Sequence, residues 1–138
     1  MAKKGSILEQ YGDDLTEAAR NGELDPIVGR DSEIDRICQV LSRRKKNNPI
    51  ILGDAGVGKT ALVEAIAQRI VNKKVARTLF NKRIISVNIA SLVAGTKYRG
   101  EFEERMKMLV EELKEDRSII IFFDEIHTLV GAGGVSGS

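Results

Sequence analysis

Apolar residues recur along this chain with two different periods. Ile34, Ile37, Cys38 and Leu41 fall at i, i+3, i+4 and i+7, one stripe of a helix. Asp31 or Ser32 can cap it, and Arg43-Arg44-Lys45-Lys46 suits its C-terminal dipole. Leu62, Val63, Ile66, Ala67 and Ile70 give a second helix face, from near Lys59 to about Val71. Phe102, Met106, Leu109, Val110 and Leu113 give a third, between about Glu101 and Glu115, with mostly Glu and Lys on a solvated face. Three segments lack that period: Pro49-Ile50-Ile51-Leu52, the β-branched run 83–89, and Ser118-Ile119-Ile120-Ile121-Phe122-Phe123. The last is continuously apolar, as suits a strand covered on both faces. The order strand, helix, strand, helix, strand predicts two right-handed βαβ units: an α/β fold with a parallel sheet of three strands and flanking helices.

The remaining segments are less regular. Residues 15–20 read as a short helix ended by Asn21-Gly22, within a loose pattern that Gly12 interrupts. Leu24-Asp25-Pro26 is a turn or extended link, because a residue before proline avoids the α region. Thr78-Leu79-Phe80 suggests a helical turn, and residues 131–138 are glycine- and serine-rich, hence flexible. Residues 1–6 (MAKKGS) suit a native start or an added tag, leaving 7–138 as one domain or part of one.

Composition narrows the function classes. With 42% apolar and 30% charged residues the chain reads as an ordinary globular domain, and its net charge of +2 leaves no nucleic-acid footprint. The basic run at 43–46 lacks interleaved aromatics and reads as a solvated helix end. No apolar run reaches membrane-spanning length, and the first residues do not form a secretory signal. The single cysteine, Cys38, is compatible with a reducing compartment and lies on an apolar helix face, so it reads as core.

Chemistry enters at Gly53-Asp54-Ala55-Gly56-Val57-Gly58-Lys59-Thr60, which fits G-x-x-x-x-G-K-[ST] at every fixed position. A strand leads in and a helix leads out, the context this phosphate loop requires. Its glycines permit positive φ and bring N–H groups close to phosphate oxygens, and the helix N-terminus adds partial positive charge. Lys59 would reach the β- and γ-phosphates, and the Thr60 hydroxyl would sit on Mg²⁺. The loop thus implies Mg²⁺ and a nucleotide, ATP or ADP in an ATPase and GTP in a GTPase.

Asp124-Glu125 directly follows the buried strand. Ligands of open parallel sheets collect at the carboxyl ends of strands, so Gly53 and Asp124 can share a site. Asp124 would hold Mg²⁺, and Glu125 would orient and deprotonate a water attacking the γ-phosphate. That pair suits hydrolysis. His127, the only histidine, has neither a nucleophile nor further ligands placed with it and reads as structural or sensing.

Several segments together resemble the first AAA+ module of the Clp ATPases (ClpA, ClpB, ClpC). They are Asp25-Pro26-Ile27-Val28-Gly29-Arg30, Asn47-Asn48-Pro49, the phosphate loop, GTKYRGEFEER at residues 95–105, and Phe123-Asp124-Glu125-Ile126-His127-Thr128. The resemblance runs from about Leu8 to Ser138, and GTKYRGEFEER is its most specific part. It implies the large subdomain of a phosphate-loop ATPase that unfolds or disaggregates proteins as a homo-hexamer, in the cytoplasm or in a plastid or mitochondrial matrix. Ile27, Val28 and Gly29 would line the adenine pocket. Lys97, Tyr98, Arg99 and Gly100 would form a pore loop that grips unfolded or aggregated polypeptide, with glycines at both ends letting it swing. A protease ring or co-chaperones are the further partners implied; a membrane or nucleic acid is not.

In that family the module continues beyond the Asp-Glu pair with a fourth strand between the Gly53 and Asp124 strands, a fifth strand, an arginine that reaches a neighbour's γ-phosphate, and a helical lid. These residues lack them, so the sheet must leave a gap, rearrange to close it, or borrow a strand. An arginine finger is worth roughly 10³–10⁵ in rate in related enzymes, so slow turnover is expected of these residues by themselves. Two other readings share the phosphate loop: a DNA-acting ATPase of the clamp-loader or initiator type, and a nucleotide-binding module without turnover.

Overall fold

The computed structural model describes residues 6–43, 48–53 and 58–125. In chain order they form α1 (Ile7–Tyr11), β1 (Gly12–Asp14), α2 (Leu15–Arg20), α3 (Asp31–Ser42), β2 (Ile50–Leu52), α4 (Lys59–Val71), a 3-10 turn (Arg77–Leu79), β3 (Arg83–Asn88), α5 (Ile89–Val93), α6 (Arg99–Glu115) and β4 (Ile119–Asp124). Among them no helix is long and apolar enough to cross a membrane.

The continuously apolar run became β4, with every residue from Ile119 to Phe123 buried. Successive side chains of a strand point to opposite faces. Ile120 and Phe122 therefore enter one core with Ile34, Cys38, Leu41, Val63 and Ile66 of α3 and α4. Ile119, Ile121 and Phe123 enter a second core with Leu8, Leu92, Phe102, Leu109 and Leu113 of α1, α5 and α6. Cys38 is core, as its helical spacing implied, and burial pushes its thiol pKa up.

The sheet order is β1-β3-β4-β2. The three parallel strands expected from the sequence are all present. β3 pairs with β4 from Arg83↔Ile119 to Asn88↔Asp124, and β2 pairs with β4 from Ile50↔Ile121 to Leu52↔Phe123. The anticipated gap beside β4 is thus closed by direct pairing. Asn48 clamps the arrangement: its side-chain amide donates to the carbonyls of Asp116 (2.8 Å) and Ile119 (3.0 Å). At the carboxyl end, the Gly53 N–H donates to the Phe123 carbonyl at 3.0 Å. β2 is an edge strand, with Ile51 buried but Ile50 and Leu52 58% and 55% exposed.

A fourth strand, β1, adds to the expected three and runs antiparallel to β3. Gly12-Asp13-Asp14 has no apolar alternation, so side-chain pattern could not reveal it. Backbone proximity builds it. A Cβ at Gly12 would stand 2.5 Å from the Leu8 carbonyl oxygen and 2.7 Å from Ile85 Cγ2. Asp14 then caps α2, accepting from the Glu17 N–H at 3.0 Å. Ser6 likewise caps α1, its hydroxyl accepting from the Glu9 N–H at 3.1 Å.

Four local expectations are corrected. Neither Asp31 nor Ser32 caps α3: Arg30 is the N-cap residue, and Asp31 and Asp35 pair instead with Arg69 of α4. Asn88 ends the second strand, and Ile89 opens α5, because the Asn88 side chain accepts from the Ser91 N–H. α6 starts at Arg99, taking Arg99 and Gly100 into its first turn. Val110 is 43% exposed, because α1 packs on the side of α6 that carries Glu112. Residues 44–46 of the basic run, Asn47, His127 and the glycine-rich tail lie outside the described residues.

Two stability outcomes follow. Gly12→Ala should cost about 1–3 kcal/mol in urea unfolding, because backbone and Ile85 occupy the space of the new methyl. Burial would raise the Asp116 carboxyl pKa, but bonds from the Ser118 hydroxyl and N–H and from Arg83 hold it below its ordinary value. The stability this gives is present above the ordinary value and is lost as pH falls through the lowered one. Asp116→Asn should lower stability at neutral pH and flatten the decline that sets in as pH falls below the ordinary Asp value of about 3.9.

Candidate functional site at the carboxyl edge of the sheet

The parallel strands β2, β3 and β4 end together, at Leu52, Asn88 and Asp124. Gly53 continues β2 and is fixed by its bond to Phe123. Its missing side chain makes room: a Cβ there would lie 2.8 Å from the Phe122 ring and 3.0 Å from Lys59 Cγ. The half-buried Lys59 stem therefore passes across Gly53. Gly58 has φ +75° and is the N-cap of α4, so the chain enters the helix through a left-handed residue. The first N–H groups of a helix lack intrahelical partners, and its N-terminus carries partial positive charge. Lys59 and Thr60 open this helix, with Thr60 exposed. Asp54, Ala55, Gly56 and Val57 lie outside the described residues.

Asp124 and Glu125 are both half-buried. Asp124 Oδ1 accepts from the Glu125 N–H at 2.9 Å. Glu125 has φ +55°, a conformation costing a non-glycine residue about 1–2 kcal/mol. The Asn88 side-chain amide donates to Glu125 Oε2. Asn88 thus serves twice: its oxygen caps α5 and its nitrogen holds the carboxylate.

The segment 25–30 reaches the same edge through Arg30. Ile27 packs against the α3–α4 core, Val28 is 91% exposed, and Gly29 turns the chain at φ +87°. Gln68 of α4 holds this segment through the Asp25 carbonyl at 2.9 Å. Arg30 then lies over the phosphate loop's last glycine, with Nη1 3.5 Å from the Gly58 carbonyl oxygen. Its other nitrogens bond Glu33, and that guanidinium lowers the Glu33 carboxyl pKa.

The structure brings Gly53, Lys59, Asp124 and Glu125 to one strand edge. Lys97, Tyr98, Arg99 and Gly100 lie apart from them, reached from Asn88 through α5. Tyr98 is 70% exposed and is the N-cap residue of α6, and Arg99 pairs with Glu103 at 3.6 Å. Only one end of this loop turns on a left-handed glycine, Gly95 at φ +81°; Gly100 is helical. Sequence reasoning missed Asn88 and Arg30. Asn88 carried no signal, since the strand pattern ran on through Ile89 and only the register sets it level with Asp124. Arg30 directly follows the left-handed Gly29.

A sequence model described as "ATPase family associated with various cellular activities (AAA)" matches residues 49–138. The chain belongs to the AAA family. Within that family its sequence is of the Clp type. It is 56% identical over 137 residues to chaperone protein ClpB 1 of Synechocystis, covering 99% of this chain and 15% of that one. It is 55% identical over 131 residues to the ATP-dependent Clp protease ATP-binding subunit ClpC of Staphylococcus aureus, covering 95% and 16%. Its fold matches a cryo-EM reconstruction of Hsp104 in a closed state with ATPγS and FITC casein at a TM-score of 0.75 and 46% identity, covering 93% of this AAA chain and 22% of Hsp104. The AAA chain therefore spans about a sixth of the length of these curated relatives.

The double role of Asn88 can be separated by stability measurements. Asn88→Ala should cost about 1–2 kcal/mol by removing the helix cap. Asn88→Asp keeps a capping oxygen but offers Glu125 no donor, so it should recover only part of that loss. Full recovery in urea unfolding at neutral pH would show that the bond to Glu125 contributes nothing.

Proposed function

We propose that this chain is the nucleotide-binding core of an ATP-driven machine that unfolds or disaggregates proteins. One observation carries the reading: Lys59, folded across Gly53, shares a strand edge with Asp124 and the Asn88-held Glu125. The phosphates would lie against the loop 53–60, on the N-terminus of α4, with Lys59 on the β- and γ-phosphates. The exposed Val28, beside the packed Ile27 and the turn at Gly29, offers an apolar plate for adenine. Thr60 and Asp124 supply the hard oxygen donors that Mg²⁺ prefers, together with phosphate oxygens and water. The ion would neutralise charge on the phosphates. Glu125 would accept a proton from the attacking water, and Asn88 would keep its carboxylate aimed at the site.

The polypeptide end of the reading rests on the exposed Tyr98, flanked by Lys97 and Arg99. An aromatic ring offers contact area to any backbone or side chain, so it grips without reading sequence. The named relatives support a protein substrate: one is a chaperone protein, one is an ATP-binding subunit of the ATP-dependent Clp protease, and the Hsp104 reconstruction contains casein. Within this reading, ATP binds between subunits of a hexamer and hydrolysis moves Tyr98 along an unfolded chain.

Substitutions at the two ends of the site test it. Lys59→Ala should weaken binding of a fluorescent ATP analogue by about a hundredfold, a loss typical of a charge-assisted contact. Glu125→Gln should leave that affinity within about twofold while lowering turnover by about 10²–10⁴, the usual contribution of a general base. Equal ATP affinity of the Lys59→Ala and parent proteins would remove the nucleotide reading.

A further inference from the structure

Helix α6 places two charged side chains on the face against which α1 packs. Arg105 and Glu112 are seven residues apart, two turns, with the fully buried Leu109 between them. Glu112 holds the start of α1: its two oxygens accept the N–H groups of Ile7 (2.8 Å) and Leu8 (2.9 Å). A carboxylate at a helix N-terminus satisfies groups that have no partner within the helix. Arg105 lies at the other end of α1, its guanidinium carbon 5.4 Å from the Tyr11 ring centroid. α1 therefore runs antiparallel to α6 and is pinned at both ends.

Arg105 also faces α5. Its Nη1 donates to the Leu92 carbonyl at 2.7 Å and to the Ala94 carbonyl at 3.1 Å. Ala94 is the C-cap of α5, and the left-handed Gly95 follows. The exposed Lys97 and Tyr98 come next. One end of this loop is thus held by Arg105, and the other enters α6 at Arg99, six residues before Arg105 on the same helix. Both ends are referred to a single rigid element.

We propose that Arg105 is the positioning residue of the Lys97-Tyr98 loop, and that one guanidinium links Tyr11 of α1 to the loop's base. The guanidinium carbon lies over the ring while Nη1 donates to both carbonyls, and a planar, delocalised cation suits this pair of contacts better than a lysine ammonium does. Removing the Tyr11 ring frees the guanidinium plane, and removing Arg105 leaves the end of α5 without its donor. Tyr98 then points from a base that shifts. The functional weight of this claim rests on the reading of Tyr98 as a polypeptide contact; the positioning itself does not.

Amide hydrogen exchange in the protein reads the positioning directly. The Ala94 N–H donates to Ala90 (2.9 Å) and the Thr96 N–H to Val93 (3.1 Å), so both report the loop base, while the Ile121 N–H, bonded to Pro49 at 3.0 Å, reports the sheet. Arg105→Ala should speed exchange at Ala94 and Thr96 by about tenfold, the usual weight of hydrogen bonds from a charged donor, with Ile121 unchanged. Arg105→Lys should fall between it and the parent. Tyr11→Leu should speed the same two amides by about threefold, the weight of a cation–π contact, and Tyr11→Phe should not. Unchanged exchange at Ala94 and Thr96 in Arg105→Ala, or acceleration that includes Ile121 equally, would overturn the proposal. Affinity for fluorescein-labelled casein reads the functional part. Tyr98→Ala should weaken it by about tenfold and Arg105→Ala by about threefold, as loss of an aromatic anchor and of its support. If Tyr98→Ala binds casein as the parent does, the polypeptide reading fails, and the exchange result alone decides the role of Arg105.

Discussion

Parallel pairing on both sides of β4 sets everything else in this protein. A strand with neighbours on both edges and helices on both faces has one register available, because a one-residue slip would exchange the two cores. Ile120 and Phe122 belong with α3 and α4, and Ile119, Ile121 and Phe123 belong with α1, α5 and α6. That register puts Asp124 level with Asn88, and Gly53 at the Phe123 carbonyl. The chemistry at the strand ends is aligned by burial five residues away.

Charge does a different task on the outer layers. Arg69, Arg83, Arg105 and Arg30 each join separate elements: α4 to α3, β3 to β1 and the 115–118 turn, α6 to α5 and α1, and the segment 25–30 to Gly58. Ion pairs with exposed carboxylates, such as those of Arg69 and Arg30, contribute little to stability. Their value is geometric: a guanidinium fork fixes direction where a short turn would otherwise leave it free.

Periodicity exposed the large parts. The SIIIFF run announced a doubly covered strand, and the stripes of α3 and α4 held. β1 stayed hidden because Gly12-Asp13-Asp14 pairs through backbone alone, which leaves no trace in a hydropathy pattern. Glu112 looked like one more acid on a solvated face, since only the fold brings the start of α1 to it. The site was legible where a residue type is forced, as at Gly53, Gly58 and Lys59. It was not legible where a common polar residue gains its task from a neighbour across the sheet. Asn88 and Arg30 are of that second kind.

The edge position of β2 has a thermodynamic side. The strand that launches the phosphate loop is three residues long, with two apolar side chains more than half exposed. It pairs on one side only, and short edge strands are among the segments that open locally at low cost. An anion bridging Gly53 and Lys59 would act as a splint across that weak joint. By mass action, a ligand at a hundred times its dissociation constant adds about 2.7 kcal/mol to the folded state. The chain's resistance to heat thus becomes a gauge of what occupies its loop.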